Sequence, residues 1–388
     1  MNTTIARFLL SPAGRHALTV AADLPPGPAH QMANLAQLRR DLTLDQAGAV
    51  WQQVELRRQA VTKFSRAAAM LFTSEALQQA SGEPVARHKA ARFAGRAVID
   101  LTCGIGGDTL ALADVASRCL AADCDPAHLL LARHNCAVYG VSVEAVQMDA
   151  LAPALRDPTG WAVFADPGRR SDGRRRFDPA SYQPPLAQLH ARYAAGDLAV
   201  KVAPGIDYSS LPWAAEVEIV SLGGAVKEAI LWTTGLATVG VRRRATLLPT
   251  GITLTDADAP DACPVTPPAA YLYEPDGAVI RAGLVRPLAH RLNLSQIDPQ
   301  IAYLTGPAPV VTSFARSFAI DEVHPFNLKA LNRRLQALGV GTVELKKRGI
   351  ALEPEALRPR LKLRGPHART VIFTRIGDTP WMFICRPA

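Results

Sequence analysis

The chain has 388 residues, 48% of them hydrophobic and 20% charged, with a formal net charge of +9. This length predicts two or three domains, and a composition this apolar excludes a disordered polymer. The positive balance fits an acidic partner, nucleic acid above all, and the lack of any uncharged apolar run of about 18 residues argues against a membrane-spanning helix.

The opening, MNTTIARFLLSPAGRHALTV, has no long apolar core and no cleavage pattern, so a cytoplasmic protein without a signal peptide is expected. The first ninety residues read mainly as helix. MANLAQLRRDL, AGAVWQQVELRRQAVTKF and AAAMLFTSEALQQAS repeat apolar residues at helical spacing, after a proline-rich break at ADLPPGPAH. From about residue 92 short apolar runs alternate with helical ones. AVIDL, CLAAD, VEAVQMD, WAVFAD and LAVKVAP read as strands, and DTLALADVAS, PAHLLLARHNCAVYG and YQPPLAQLHARYA as helices. That alternation predicts an α/β fold with a parallel sheet covered on both faces. VEIVSL, EAILWTT and TVGVRRRATLL follow without helices and predict an antiparallel edge. A looser stretch, TDADAPDACPVTPP, marks a boundary near residues 254–268. Beyond it, residues 320–388 hold 13 Lys and Arg against 6 Asp and Glu, the asymmetry of a separate binding module.

Six cysteines (Cys103, Cys119, Cys124, Cys136, Cys263 and Cys385) form no C-x-x-C pair and no zinc-like grouping with histidine. No metal is expected, the thiols read as reduced, and His88, His128 and His134 read as helix-surface residues rather than ligands.

VIDLTCGIGGDTLALA, residues 98–113, puts three glycines within four residues between the first strand and its helix. In an alternating fold the ligand sits beyond the carboxyl ends of the strands, where glycine lets backbone approach it closely. Spacing alone does not separate a binding turn from a structural one. The acids do more: Asp100, Asp123 and Asp149 each end a successive strand and gather at one sheet edge. An acid at the second strand end can accept both hydroxyls of a ribose, and Asp149 can take the amino group of an adenine. The turn is neither a full dinucleotide fingerprint nor a P-loop, since no phosphate-gripping lysine follows.

On these residues the stretch from about 92 to 245 resembles class I S-adenosylmethionine-dependent methyltransferases. The resemblance implies that S-adenosyl-L-methionine is the cofactor and that Asp100 and the turn Thr102, Cys103, Gly104 to Gly106 hold its methionine portion. Asp123 would bind ribose, Asp149 adenine, and Asp108 the amino-acid end, unless Asp108 simply caps the following helix. Cys103 otherwise reads as a small packing residue. The fourth strand leads into VFADPGRR, placing Asp166, Pro167, Gly168 and Arg169 where amino-methylating members carry D-P-P-Y. There an acid and a backbone carbonyl align the target nitrogen for in-line transfer. Arg169 replaces the expected aromatic, and arginine can stack on a base or grip a phosphate.

CGIGGDTLALA and DCDPAHLLLARHNCAVYG also resemble trimethylguanosine synthase, although its S-P-P-W segment is missing. From about residue 60 onward the chain resembles a bacterial methyltransferase family with a C-terminal THUMP-like domain, through RHKAARFAGRAVIDLTCGIGGDTLALA, ADPGRR, YLYEPDGAVIRAGLV, GTVELKKRG and RLKLRG. The fold implied is a Rossmann-like class I methyltransferase sheet with a helical N-terminal extension and a C-terminal α+β THUMP-like domain. The divisions expected are 1–90, 91–253, a connecting segment 254–319 and the basic module 320–388. THUMP domains are associated with structured RNA, so tRNA or rRNA is the implied partner and a base nitrogen the implied acceptor. Arg170, Arg174 and Arg175 beside the presumed active mouth, with Lys346, Lys347, Arg348, Lys362 and Arg364, are the cations expected to meet phosphates. The rivals are a DNA or protein methyltransferase on the same fold, and an RNA-binding protein whose site is dead.

Overall fold

The computed structural model describes residues 1–152, 160–169, 179–193 and 196–388. Contacts divide the chain into two units, Met1–Val217 with Lys227–Val239, and Glu218–Val226 with Gly240–Ala388.

The first unit begins with helices Thr3–Leu10, Pro12–Ala22, Gln31–Leu38 and Leu44–Ala60. Ser11 closes one and opens the next: its hydroxyl donates to the Phe8 carbonyl and accepts from Gly14 N. Thr43 and Gln46 form a reciprocal capping box at the fourth. The helix expected through AAAMLFTSEALQQAS is broken. A short 3-10 turn at Ala67–Ala69 is followed by extended chain, and helix resumes only at Ser74–Gln79. Two buried amides hold the break open. Gln53 exchanges both hydrogen bonds with Phe72, and Asn135 does the same with Leu71, giving the backbone the partners a helix would otherwise supply.

The strands of this unit are β1 (Ala97–Asp100), β2 (Arg118–Asp123), β3 (Glu144–Gln147), β4 (Trp161–Ala165), β5 (Gly168–Arg169), β6 (Tyr182–Gln183), β7 (Asp197–Val202), β8 (Glu216–Leu222) and β9 (Ala225–Trp232), the last two shared with the second unit. The sheet runs β9-β7-β4-β1-β2-β3, parallel throughout except where β9 joins β7 antiparallel, as the sequence predicts. Helices Thr109–Val115, Pro126–Val138 and Leu186–Tyr193 alternate with these strands. The last starts later than expected, because Tyr182 and Gln183 pair with Gly168 and Arg169 and Pro184 and Pro185 precede the first helical turn. Register fixes the acids. Asp100 stands opposite Ala121 on one side and Phe164 on the other, so Asp123 and Asp166 both lie two residues further along the same sheet edge.

In the second unit β10 (Arg243–Leu248) pairs antiparallel with β11 (Ile252–Thr255), in the order β11-β10-β8. Residues 254–268 fall inside this unit. Its larger sheet contains β12 (Tyr271–Pro275), β13 (Ser295–Gln296), β14 (Leu304–Gly306), β15 (Ala315–Pro325), β16 (Val340–Lys347), β17 (His367–Ile376) and β18 (Thr379–Pro387). The order is β13-β14-β12-β15-β18-β17-β16, antiparallel except for β16 with β17. Helix Leu328–Ala337 buries Leu331 and Leu335 against Val340, Val371, Phe373 and Ile384. Among the described residues no helix is long and apolar enough to cross a membrane.

Candidate active site

The chain leaves β1 at Asp100 and folds back at once. Cys103 N bonds to the Ala122 carbonyl at 3.0 Å and Gly106 N to the Cys103 carbonyl at 2.8 Å. Gly104 and Gly106 take φ of +52° and +84°, the left-handed region that glycine enters without strain. Gly106 has a second reason to be glycine, because a Cβ there would stand 3.0 Å from Ala132 Cα of helix Pro126–Val138. Gly106→Ala is therefore expected to destabilise the fold by about 1–3 kcal/mol, while Gly104→Ala, with open space around its Cβ position, loses less. Thermal unfolding of the two variants checks this, and equal losses would refute the packing argument.

The three acids differ in environment. Asp100 is buried, accepts from Thr109 Oγ1 at 2.6 Å, and burial pushes its carboxyl up to about 7. Asp123 ties the turn to β2, accepting from Gly104 N and Asp125 N at 2.9 Å each and lying 3.4 Å from His128 Nδ1. Burial pushes its carboxyl up, but His128 and the backbone donors outweigh burial and hold it below the usual range. Asp149 is exposed, two residues past β3, and accepts from Leu151 N.

A cleft of about 300 Å³ opens over this edge. It brings Asp100, Thr102, Cys103, Gly104, Asp108 and Asp123 together with Asp166 and Gly168, while Gly106 and Asp149 do not line it. Pro167 is buried and does not line the cleft. The Arg169 side chain, Arg170, Arg174 and Arg175 lie outside the described residues. Cys103 packs against Ala121, Leu129 and Ala132, and burial pushes its thiol above the usual range, an environment that disfavours the thiolate. Among the described residues no His, Cys, Asp or Glu grouping is fit to hold a metal ion.

Several lining residues carry no signal in the sequence. His128, read as a helix-surface residue, faces Asp123, whose carboxylate raises the imidazole above its usual range. Cys124, read with the apolar thiols, is exposed in the cleft wall. Thr73, Glu75 and Gln79 form another part of that wall, so the helical extension contributes directly to the site.

Beneath the cleft lies a set of paired charges. The Asp108 side chain accepts no capping hydrogen bond from its helix. It meets Lys89 Nζ at 2.8 Å instead, and Lys89 also reaches Glu228 at 2.7 Å and Ser81 Oγ at 2.8 Å. Burial alone would push the Asp108 carboxyl up, but Lys89 and Lys201 pull it below the usual range. Asp166 accepts from Lys201 Nζ at 2.6 Å, and its own N–H donates to Thr102 Oγ1 at 2.7 Å. In sequence Lys201 stands alone among apolar neighbours, and Lys89 is one cation of the basic run Arg87–Arg92. Buried lysines of this kind require carboxylate partners, but nothing in the sequence says which.

In the second unit the expected phosphate-binding cations divide. Lys346 is paired with Glu274 at 2.6 Å, Lys347 with Glu353 at 2.5 Å, and Arg348 lies 3.6 Å from Glu274 and over the Tyr303 ring. These charges are already partnered within the fold. Lys362 and Arg364 are exposed, and Lys362 joins Lys329, Asn332, Arg333 and Gln336 around a shallow groove of about 520 Å³.

Comparison with known proteins places this geometry. Residues 315–387 match a THUMP domain-like family, residues 95–152 an RNA cap guanine-N2 methyltransferase family, and residues 3–60 a domain of unknown function. The guanine-N2 match ends before Asp166. An uncharacterized S-adenosylmethionine-dependent methyltransferase of Mycobacterium tuberculosis, represented from two strains, is 46% identical over 325 residues, spanning 82% of this chain and 89% of that protein. The crystal structure of a candidate methyltransferase from Porphyromonas gingivalis W83 shares the fold, with a TM-score of 0.76 at 22% identity over 100% of this chain and 99% of that one. The glycine turn at an acid-lined sheet edge and the likeness along most of the chain agree: this protein belongs to the S-adenosylmethionine-dependent methyltransferases, with a THUMP-like domain at its C-terminal end.

Proposed function

We propose that this enzyme methylates structured RNA, tRNA or rRNA, at a base nitrogen held beside Asp166. The observation that carries the reading is one cleft joining the glycine turn, Asp100 and Asp123 to Asp166 and Gly168. When bound, S-adenosylmethionine supplies a methyl group on a sulfonium, already activated for displacement. The protein contributes placement. Asp123, held ionised, accepts the two ribose hydroxyls, Asp100 and the Thr102–Gly106 turn receive the methionine end with Asp108 beside them, and Asp149 takes the adenine amino group from the same sheet edge. Asp166 accepts a hydrogen bond from the acceptor nitrogen and aims its lone pair along the transfer axis. Among rivals on this fold, RNA is favoured by the THUMP-like match and by the basic C-terminal segment. The working division remains 1–90 helical, 91–253 catalytic, 254–319 connecting and 320–388 for RNA.

The exposed groove is the better candidate for the RNA contact, because the KKR run is already paired with carboxylates. Replacing Lys329, Arg333 and Lys362 together by glutamine is expected to weaken RNA about equally across sequences. The slope of log affinity against log salt should flatten by roughly 0.7–0.9 per lost phosphate contact, with cofactor affinity unmoved. Replacing Lys346, Lys347 and Arg348 should move the slope less, because those charges already face Glu274 and Glu353. Filter binding at four salt concentrations reads both, and a groove variant with the parental slope would remove this docking role.

A further inference from the structure

Lys201, a largely covered cation on β7, is in direct contact with the acid at the end of β4, and the transfer chemistry as described gives it no task. We infer that Lys201 is a positioning residue that keeps Asp166 ionised and fixed at the cleft, so that this acid accepts hydrogen bonds instead of donating one. The inference rests on the reading of Asp166 as the residue that aligns the methyl acceptor.

The geometry is specific. Lys201 lies between the buried Val200 and Val202, and only 12% of its side chain is exposed, against 27% for Asp166. Its Nζ donates to Asp166 Oδ2 at 2.6 Å and to the Gln79 carbonyl at 3.0 Å. Asp166 is therefore held twice, by its backbone N–H on Thr102 of the glycine turn and by its carboxylate on β7. A carboxylate offers about four acceptor positions, so one ammonium contact leaves capacity for a substrate N–H.

Every neighbouring element adds a charge. Asp100 on β1 and Asp108 at the start of helix Thr109–Val115 disfavour ionisation of Asp166, and burial disfavours it most. Lys201 is the strongest opposing influence, with Lys89 of helix Glu83–Ala90 a weaker one; together they offset only part of the effect, and the Asp166 carboxyl stays above its usual range. Glu228 on β9 occupies Lys89, and Lys63 stands near Lys201. Lys201 in turn is raised above the usual lysine range, because Asp166, Asp108 and Glu228 outweigh its desolvation, so it stays an ammonium. The sign follows. A protonated Asp166 carries an O–H donor and is a weaker, uncharged acceptor for a substrate N–H, so transfer falls as pH drops through its folded pKa. Without the ammonium, burial acts unopposed and that pKa climbs.

The test titrates Asp166 directly and needs no substrate. Carbon-13 carboxyl NMR of aspartate-labelled protein, with the Asp166 signal assigned through Asp166→Asn, is followed against pH. In Lys201→Gln the midpoint should rise by about one to three pH units, the range an adjacent opposite charge commands. Lys201→Met, which fills the space without charge, should do the same if the glutamine variant folds poorly. Lys201→Arg should keep the parental midpoint. The acid limb of methyl transfer to total RNA from a strain lacking the gene should move in parallel, with S-adenosylmethionine affinity unchanged. An unmoved midpoint in both uncharged variants, or a shift of the same size in Lys201→Arg, would overturn the inference. An Asp166→Ala protein with parental transfer would instead remove the acceptor-aligning reading, whatever the midpoints do.

Discussion

Asp166→Ala is expected to slow methyl transfer about a hundredfold or more while S-adenosylmethionine affinity stays within about twofold. The reason is positional. Asp166 stands two residues past the β4 residue that pairs with Asp100, at the cleft, and its backbone is already hydrogen-bonded to the glycine turn. Removing its carboxylate leaves the turn, Asp123 and Thr102 in place, so the cofactor loses nothing it touches. The acceptor loses its orienting partner, and misalignment by an ångström is enough for a loss of about that size. Lys201 is left without its carboxylate, so a lower melting temperature accompanies the change, and rates must be read well below it. Single-turnover transfer and calorimetric cofactor binding, measured on the same preparation, separate the two effects. Equal losses in rate and affinity would make Asp166 part of the cofactor pocket.

Asp123→Ala should do the reverse and weaken S-adenosylmethionine at least about tenfold, since charge-assisted hydrogen bonds to a carboxylate contribute roughly 1.5–3 kcal/mol each. The structure adds a second route to the same result. Asp123 accepts from Gly104 N, so its loss also frees the glycine turn proposed to receive the cofactor. Asp123→Asn separates the two contributions, because an amide oxygen can still accept from Gly104 N without the charge. The asparagine variant should fall between the parent and alanine. A dissociation constant unchanged in Asp123→Ala would refute the ribose assignment.

What the sequence makes legible is local order. Alternating apolar runs and helical segments place β1 to β4 and β7, and a parallel sheet then forces their carboxyl ends to one edge. Asp100, Asp123 and Asp166 follow from that without any coordinates. Contacts between distant segments are not written in local periodicity. The extended Met70–Thr73 stretch continues a helical apolar pattern in sequence, and its backbone partners at Leu71 and Phe72 are Asn135 and Gln53, from other helices. Lys201 looks like an isolated charge in an apolar strand, and Lys89 like one more cation of a basic helix end, until Asp166, Glu228 and Asp108 are found around them. The KKR run at Lys346 looks like a free basic patch, yet Glu274, some seventy residues earlier, occupies two of its three cations. Charge runs report composition; whether they are available to a ligand depends on what the fold sets opposite them.

The central claim is that this cleft methylates RNA, and comparing modified nucleosides tests it most directly. RNA from a strain lacking the gene is digested and analysed by mass spectrometry, alongside RNA from the same strain complemented with the parental protein or with Asp166→Ala. One methylated nucleoside should be missing from the deletion strain, return with the parental protein, and stay absent with Asp166→Ala. Identical nucleoside profiles in all strains would contradict the account.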